Sequence, residues 1–330
     1  MSHSHSLTHS HIYSLTNTLN HFQVLTLSII SYICAIGYAL TRSSLCVCNL
    51  SCSTYNNDIE SAGYGNDIWG WTSPSGQEIA IVGCSTGTSF VDITNAESPS
   101  FVGFLTRTTA ATYWSDIKVY GDYAYIASES SGSGLQIFNL ATVATDATNG
   151  LTAQVYTPTS TYTGVSTTHN LEVNEQSGYM YVLGAYGGSD SCSGGLHVLD
   201  VQDPANPVFV TCYTGADYVH DAHCVMYHGP DTAYQGREVC MTFSEDKIVM
   251  LDVTLKCDIQ MISSSTYSQR SYTHQGWFSE DHKYFTMGDE MDENDFGVNT
   301  RTLFWDATSL SSPSLMKDYR ALTTSVGTYA

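Results

Sequence analysis

Six side chains of two chemical kinds recur along this sequence at regular intervals: Asp67, Asp116, His169, His220, Asp221 and His274. Imidazole and carboxylate together suit zinc or another transition metal, and carboxylates with carbonyl oxygens suit calcium. The same groups also serve as ordinary hydrogen-bonding partners of backbone at strand ends, and that structural role weighs against the metal. His220 and His223 are three residues apart, so on a strand they point to opposite faces and cannot both ligate one ion. A second candidate is the acidic run Asp289, Glu290, Asp292, Glu293 and Asp295, closed by Gly297. It has the oxygen ligands to wrap calcium but lacks the spacing of a helix-loop-helix calcium loop, and its plainer reading is a solvated acidic hairpin. Glu172 and Asp203 do not read as a catalytic acid pair. Arg237-Glu238 and Asn299-Thr300-Arg301 read as structural polar contacts. No zinc-protease helix, phosphate-binding loop or dinucleotide fingerprint occurs, so no residue is assigned a catalytic role.

The elements that must position these residues form a repeat. Five polar pairs each open a strand-like run: Asn66-Asp67, Ser115-Asp116, His169-Asn170, His220-Asp221 and His274-Gln275. The second members fall at 67, 116, 170, 221 and 275, steps of 49, 54, 51 and 54 residues. Each unit then carries another strand ending in an acid or amide, at Asp92, Asn139, Asp200, Asp252 and Asp306. Trp114–Tyr120, the Gly121-Asp122 turn and Tyr123–Ala127 read as a tight hairpin. The prolines of Glu97-Ser98-Pro99 and Asp203-Pro204-Ala205-Asn206-Pro207 precede a fourth, outer strand, where an edge tolerates proline. A fixed period of this size built from strands predicts an all-β chain, a β-propeller of four-stranded blades, with a solenoid as the rival. The first strand of each blade lines the channel, so the opening pairs are expected to meet on one rim.

Composition narrows the function classes. Against 32 Asp+Glu stand 11 Lys+Arg, a net charge of −21. That excess excludes nucleic acid, whose affinity comes from neutralised phosphates, and opposes docking on anionic lipid. The chain has 10 cysteines, which point to an oxidising compartment. Cys224 and Cys240 fall in successive strands of one repeat, and Cys192 and Cys212 flank a strand of another, so both pairs are expected as disulfides. Cys84 and Cys257 have no evident partner. Asn49-Leu50-Ser51 is the one glycosylation sequon.

Residues 1–21 are a low-complexity Ser/Thr/His leader, 22–40 an apolar signal or anchor segment, 41–60 a linker, and 61–330 the repeats. The apolar segment has no Lys or Arg before it and Arg42 after it, the wrong polarity for export of the repeats.

The repeats resemble the choice-of-anchor B family, whose members carry LVIVD-type propeller repeats. The resemblance spans 66–306 and rests on Asn66-Asp67-Ile68-Trp69-Gly70-Trp71, Trp114–Tyr120, His169-Asn170, Gly194-Gly195-Leu196-His197, Tyr218–Cys224, Gly236–Cys240, His274-Gln275-Gly276-Trp277 and Asp289-Glu290. It implies a secreted or surface protein and carries no established reaction. It also implies further repeats, so about five blades of an expected seven are present, with a C-terminal truncation.

The sequence therefore predicts an extracellular or cell-surface binding or structural module, more readily than an enzyme. Its partner is a protein, a glycan or matrix. Membrane contact comes only through the N-terminal segment or a missing C-terminal anchor. The rivals are a metal-dependent hydrolase or lyase using the His/Asp rim, and a subunit of a surface filament.

Overall fold

The computed structural model describes residues 65–320. The leader, the apolar segment, the linker and the sequon lie outside the described residues.

Five antiparallel sheets follow one another along the chain. Blade 1 comprises β1 (Gly65–Thr72), β2 (Glu78–Cys84), β3 (Gly87–Asp92) and β4 (Ser100–Thr106). Blade 2 opens with β5 (Ile117–Tyr120), β6 (Tyr123–Ile126) and β7 (Leu135–Asn139). A helix, α1 (Ala141–Thr148), comes next; then β8 (Gln154–Tyr156) joins β4 in parallel, and β9 (Ser160–Tyr162) completes blade 2. Blade 3 is β10 (Asn170–Asn174), β11 (Tyr179–Leu183), β12 (Leu196–Asp200) and β13 (Val208–Tyr213). Blade 4 is β14 (Asp221–Met226), β15 (Glu238–Phe243), β16 (Ile248–Asp252) and β17 (Gln260–Ser265). Blade 5 is β18 (Thr273–Phe278), β19 (Tyr284–Asp289), the short helix α2 (Asp292–Phe296), β20 (Arg301–Asp306) and β21 (Ser314–Arg320). This is a β-propeller.

Local chemistry explains the joints. Tyr120 pairs with Tyr123 across the Gly121-Asp122 turn, and Gly121 has φ +56°, a conformation glycine adopts at little steric cost. In blades 1, 3, 4 and 5 the pairing of third and fourth strands slips by one residue at the same place, leaving Val102, Val210, Ile262 and Met316 as bulges. Such bulges increase the twist of the outer strand.

The core lies between blades. One cluster joins Ile81 and Phe90 of blade 1 to Ile117 and Phe138 of blade 2, and takes Val143 of α1. Others join Tyr125 and Ile137 to Leu171 and Val182, Tyr181 and Val198 to Cys224 and Leu251, and Met241 and Phe243 to Phe285 and Trp305. Inner blades thus bury both faces, which is why their strands are near-continuous apolar runs. Each fully buried large side chain contributes about 1.5–3 kcal/mol.

Cys224 lies directly opposite Cys240 in the β14–β15 ladder, and the pair forms a disulfide with a Cα–Cα separation of 4.0 Å. Cys192 is bonded to Cys212 at 5.3 Å. Cys84, expected to lack a partner, is itself disulfide-bonded, whereas Cys257 is a free, exposed thiol. Among the described residues no helix is long and apolar enough to cross a membrane.

Candidate functional site

The innermost strands β1, β5, β10, β14 and β18 bring the opening pairs to one end of the channel, and the pairs divide into two tiers. The first members of three successive pairs, His169, His220 and His274, lie ring against ring at a tilt. Ring centroids are 4.2 Å apart for His169–His220 and 4.5 Å for His220–His274. The second members, Asp67, Asp116 and Asp221, line a small cavity beside them together with Lys118, Asn170 and Glu172. The six expected side chains therefore converge on the channel but form two sites rather than one ring.

The acid tier uses its groups structurally. Each innermost strand is an open sheet edge with unpaired N–H donors, and the preceding blade closes it. Ile117 N donates to Asp67 Oδ2 (2.9 Å), Leu171 N to Asp116 Oδ2 (2.9 Å) and Cys224 N to Glu172 Oε1 (2.8 Å). Phe278 N donates to His223 Nδ1 (3.1 Å), whose ring also stacks 3.5 Å from that of Trp277. Asp221 instead accepts from Ala222 N, its own neighbour. Lys118 supplies the counter-charge through Asp116, at 3.0 and 2.8 Å. Burial raises the carboxyls of Asp116 (well above its usual range), Asp221 (to about 7) and Glu172 (to about 8), against the pull of Lys118. Burial opposes the charge of Lys118 itself, but the surrounding carboxylates raise its pKa on balance. The cavity measures about 30 Å³, room for one or two water molecules or an ion and far below an organic substrate pocket.

The imidazole tier is wired differently. His169 Nδ1 meets Glu129 Oε1 at 2.5 Å, and His220 Nδ1 donates to the His274 carbonyl at 3.1 Å. His169 Nε2 and His220 Nε2 are 2.6 Å apart. His274 Nε2 lies 3.6 Å from Glu290 Oε2. Burial pushes His220 well below the usual histidine range and His274 to about 4, and burial raises Glu290. Tyr218 and Tyr272 edge this tier.

Several functional residues had a signal that went unread. Glu129, Glu245 and Glu290 each stand just beyond the second strand of their blade. Lys118 and Glu172 sit two residues after Asp116 and Asn170, hence on the same strand face. Glu172, set aside as half of an unconvincing acid pair, is thus a channel residue.

The acidic run, expected as a solvated hairpin with a calcium loop as the alternative, is partly buried and carries α2. Asp289 is fully buried and accepts from Tyr267 Oη (2.7 Å), Ser271 N (2.8 Å) and Tyr272 N (3.0 Å). Asp292 is fully buried and clasped by Arg301 through Nε (2.8 Å) and Nη2 (2.7 Å). Asp295 bonds Ser271, Glu293 accepts from Thr300 N at 3.3 Å, and Glu290 turns to His274. Apart from Glu290, whose carboxylate only approaches His274, these oxygens are engaged with protein groups instead of standing open to an ion. Glu238 likewise binds Lys256 and Tyr181, a structural role like that expected of it.

Two other constellations are closed. Cys192, His197 and Cys212 lie within ligand distance, but the sulfurs are joined to each other in a disulfide and are not free thiolates. Gly83-Cys84-Ser85-Thr86-Gly87 matches the Gly-x-Ser-x-Gly hydrolase pattern, against the expectation that this signature is absent. It forms the β2–β3 turn with no helix after it, unlike a nucleophile elbow, and the Ser85 carbonyl accepts from Arg107 Nε at 3.3 Å.

Two segments, 112–136 and 191–215, match the LVIVD repeat. None of the curated proteins compared with the chain matches it. Among solved structures, a Lactobacillus plantarum protein is similar at 14% identity and TM-score 0.50, over 79% of this chain and 68% of that one. A functionally unknown protein from Desulfotomaculum acetoxidans is similar at 10% identity and TM-score 0.51, over 79% and 72%. A hypothetical selenium-binding protein from Sulfolobus tokodaii is similar at 8% identity and TM-score 0.51, over 76% and 61%. These likenesses concern the fold alone.

Proposed function

We propose that this chain is a propeller of the choice-of-anchor B type that works outside the cell, or on its surface, as a binding module for a protein partner with basic groups. One observation carries this reading: the end of the channel that holds the imidazoles also presents exposed aromatic rings among carboxylates. Tyr113, Trp114 and Tyr186 are exposed, Tyr186 stacks on Tyr218, Glu129 and Glu245 face Tyr218, and Glu245 and Glu290 face Tyr272. Tyrosine and tryptophan are enriched in protein interfaces, and carboxylates select a basic complement. The net charge of −21 strengthens that selection, and the disulfides fit an oxidising compartment.

The test applies labelled protein to intact cell surfaces and isolated matrix. Binding that weakens with salt, falls at least tenfold in Trp114→Ala/Tyr186→Ala, and is abolished by trypsin treatment of the surface supports the reading. Binding that survives trypsin but not glycosidase treatment points to a glycan and overturns the protein partner. The converging imidazoles favour a second reading, a metal-dependent hydrolase or lyase, which requires turnover that the same surface variant leaves intact.

A further inference from the structure

We propose that His169, His220 and His274, with Glu290 as the fourth ligand, hold one zinc-class divalent metal ion at the mouth of the channel. The argument starts from where each ring places its proton. His169 Nδ1 faces the Glu129 carboxylate and His220 Nδ1 faces the His274 carbonyl, both acceptors, so both Nδ1 atoms carry hydrogen. In neutral rings the Nε2 atoms are then bare, and they oppose each other at 2.6 Å. Two facing lone pairs repel unless a cation or a proton lies between them.

The donor set supports the metal. Ligand atoms of His220, His274 and Glu290 lie within 4.8 Å of one another, and His274 Nε2 stands 3.6 Å from Glu290 Oε2. The edge of a tetrahedron with zinc–nitrogen bonds of 2.0–2.1 Å is about 3.3 Å, between the 2.6 Å of His169–His220 and the 3.6 Å of His274–Glu290. Three imidazoles with one carboxylate favour zinc, cobalt or copper over calcium, which takes oxygen. Glu129 has the position of an outer partner that orients a ligating imidazole and raises its basicity. The rival is an imidazolium at His169, paired with Glu129 and donating to His220 Nε2, which needs no metal. The metal assignment does not depend on the partner proposed above.

The experiment uses the full chain stripped with chelator and titrated with Zn²⁺, Co²⁺ and Ca²⁺. Expected are one equivalent of Zn²⁺, Co²⁺ absorption bands of a four-coordinate nitrogen-rich site, and no competition by Ca²⁺. His220→Ala should lose the uptake, and Glu129→Gln should weaken it by about 10–100-fold without abolishing it. Far-ultraviolet circular dichroism and melting of each metal-free variant separate lost binding from lost folding. If His220→Ala misfolds, the milder Glu129→Gln and His274→Gln decide. Uptake equal in wild type and His169→Ala/His220→Ala/His274→Ala, uptake by neither, or competition by Ca²⁺ overturns the proposal.

Discussion

The two tiers at the channel solve one electrostatic problem in opposite ways. In the acid tier the chain supplies its own cation, because Lys118 sits among Asp67, Asp116, Glu172 and Asp221 and binds Asp116 directly. Its carboxylates also accept backbone N–H groups, which ties them into the fold. In the imidazole tier lone pairs converge and no lysine or arginine is paired with them among the described residues. A covalently tethered cation is permanent and serves stability. Converging donors without one leave the positive charge to come from solution.

The largest expected effect tests the tethered cation. Lys118→Met leaves buried carboxylates without their counter-charge and should cost about 3–5 kcal/mol in denaturant unfolding; a loss under about 1 kcal/mol would show that the acids manage alone. Next comes Cys224→Ala/Cys240→Ala, which opens a sequence separation of 16 residues and should cost about 3 kcal/mol. It should leave metal uptake unchanged, since its one link to the acid tier, Cys224 N to Glu172, runs through the backbone. A third effect concerns the imidazoles. Zn²⁺ at a hundredfold its dissociation constant should stabilise wild type by about 2.7 kcal/mol, and His274→Gln should remove that increment while costing the metal-free protein under about 1 kcal/mol.

The pH dependence of the acid tier separates it further. Glu172 faces Lys118, Asp221 and the amides of Cys224 and Val173, and its folded pKa of about 8 lies above the ordinary 4.5. A folded value above the unfolded one means that the folded state holds the extra proton. The associated stability is present below pH 4.5 and is lost as pH rises through 8. Glu172→Gln, which keeps the acceptor, should flatten the unfolding free energy over that window relative to wild type. An unchanged slope would move the buried proton to Asp116 or Asp221. The smallest effect belongs to the surface, where Trp114→Ala should change stability by no more than about 0.5 kcal/mol and leave both tiers intact.

Much of this was legible in the sequence because a fifty-residue period admits few β architectures, and because Cys224 and Cys240 occupy adjacent strands. The tiers were also legible, though less directly. The histidines are first members of their pairs and the acids are second members, and neighbouring strand residues diverge. Lys118 was hidden because a lone lysine in an apolar strand looks like a solvent-facing residue. Glu129 was harder to read because its distance past the second strand of the blade differs from those of Glu245 and Glu290. The segment around Asp289 reads as solvated because its acids have no nearby base in sequence, while Arg301, twelve residues from Asp289, takes up its charge through the fold.

The capping of inner strands has a direction, and the direction concerns synthesis. In these four inner-strand links, an acceptor in the earlier blade receives an N–H from the later one: Asp67 from Ile117, Asp116 from Leu171, Glu172 from Cys224, His223 from Phe278. A ribosome therefore delivers the acceptor first, and the donor emerges about fifty residues later, roughly 3–10 s at ordinary elongation rates. During that interval a carboxylate or imidazole waits comfortably in water, whereas a bare N–H row would invite pairing with the wrong strand. The order of residues along the chain thus keeps the tolerant half of every link exposed and brings the vulnerable half out only when its place is ready.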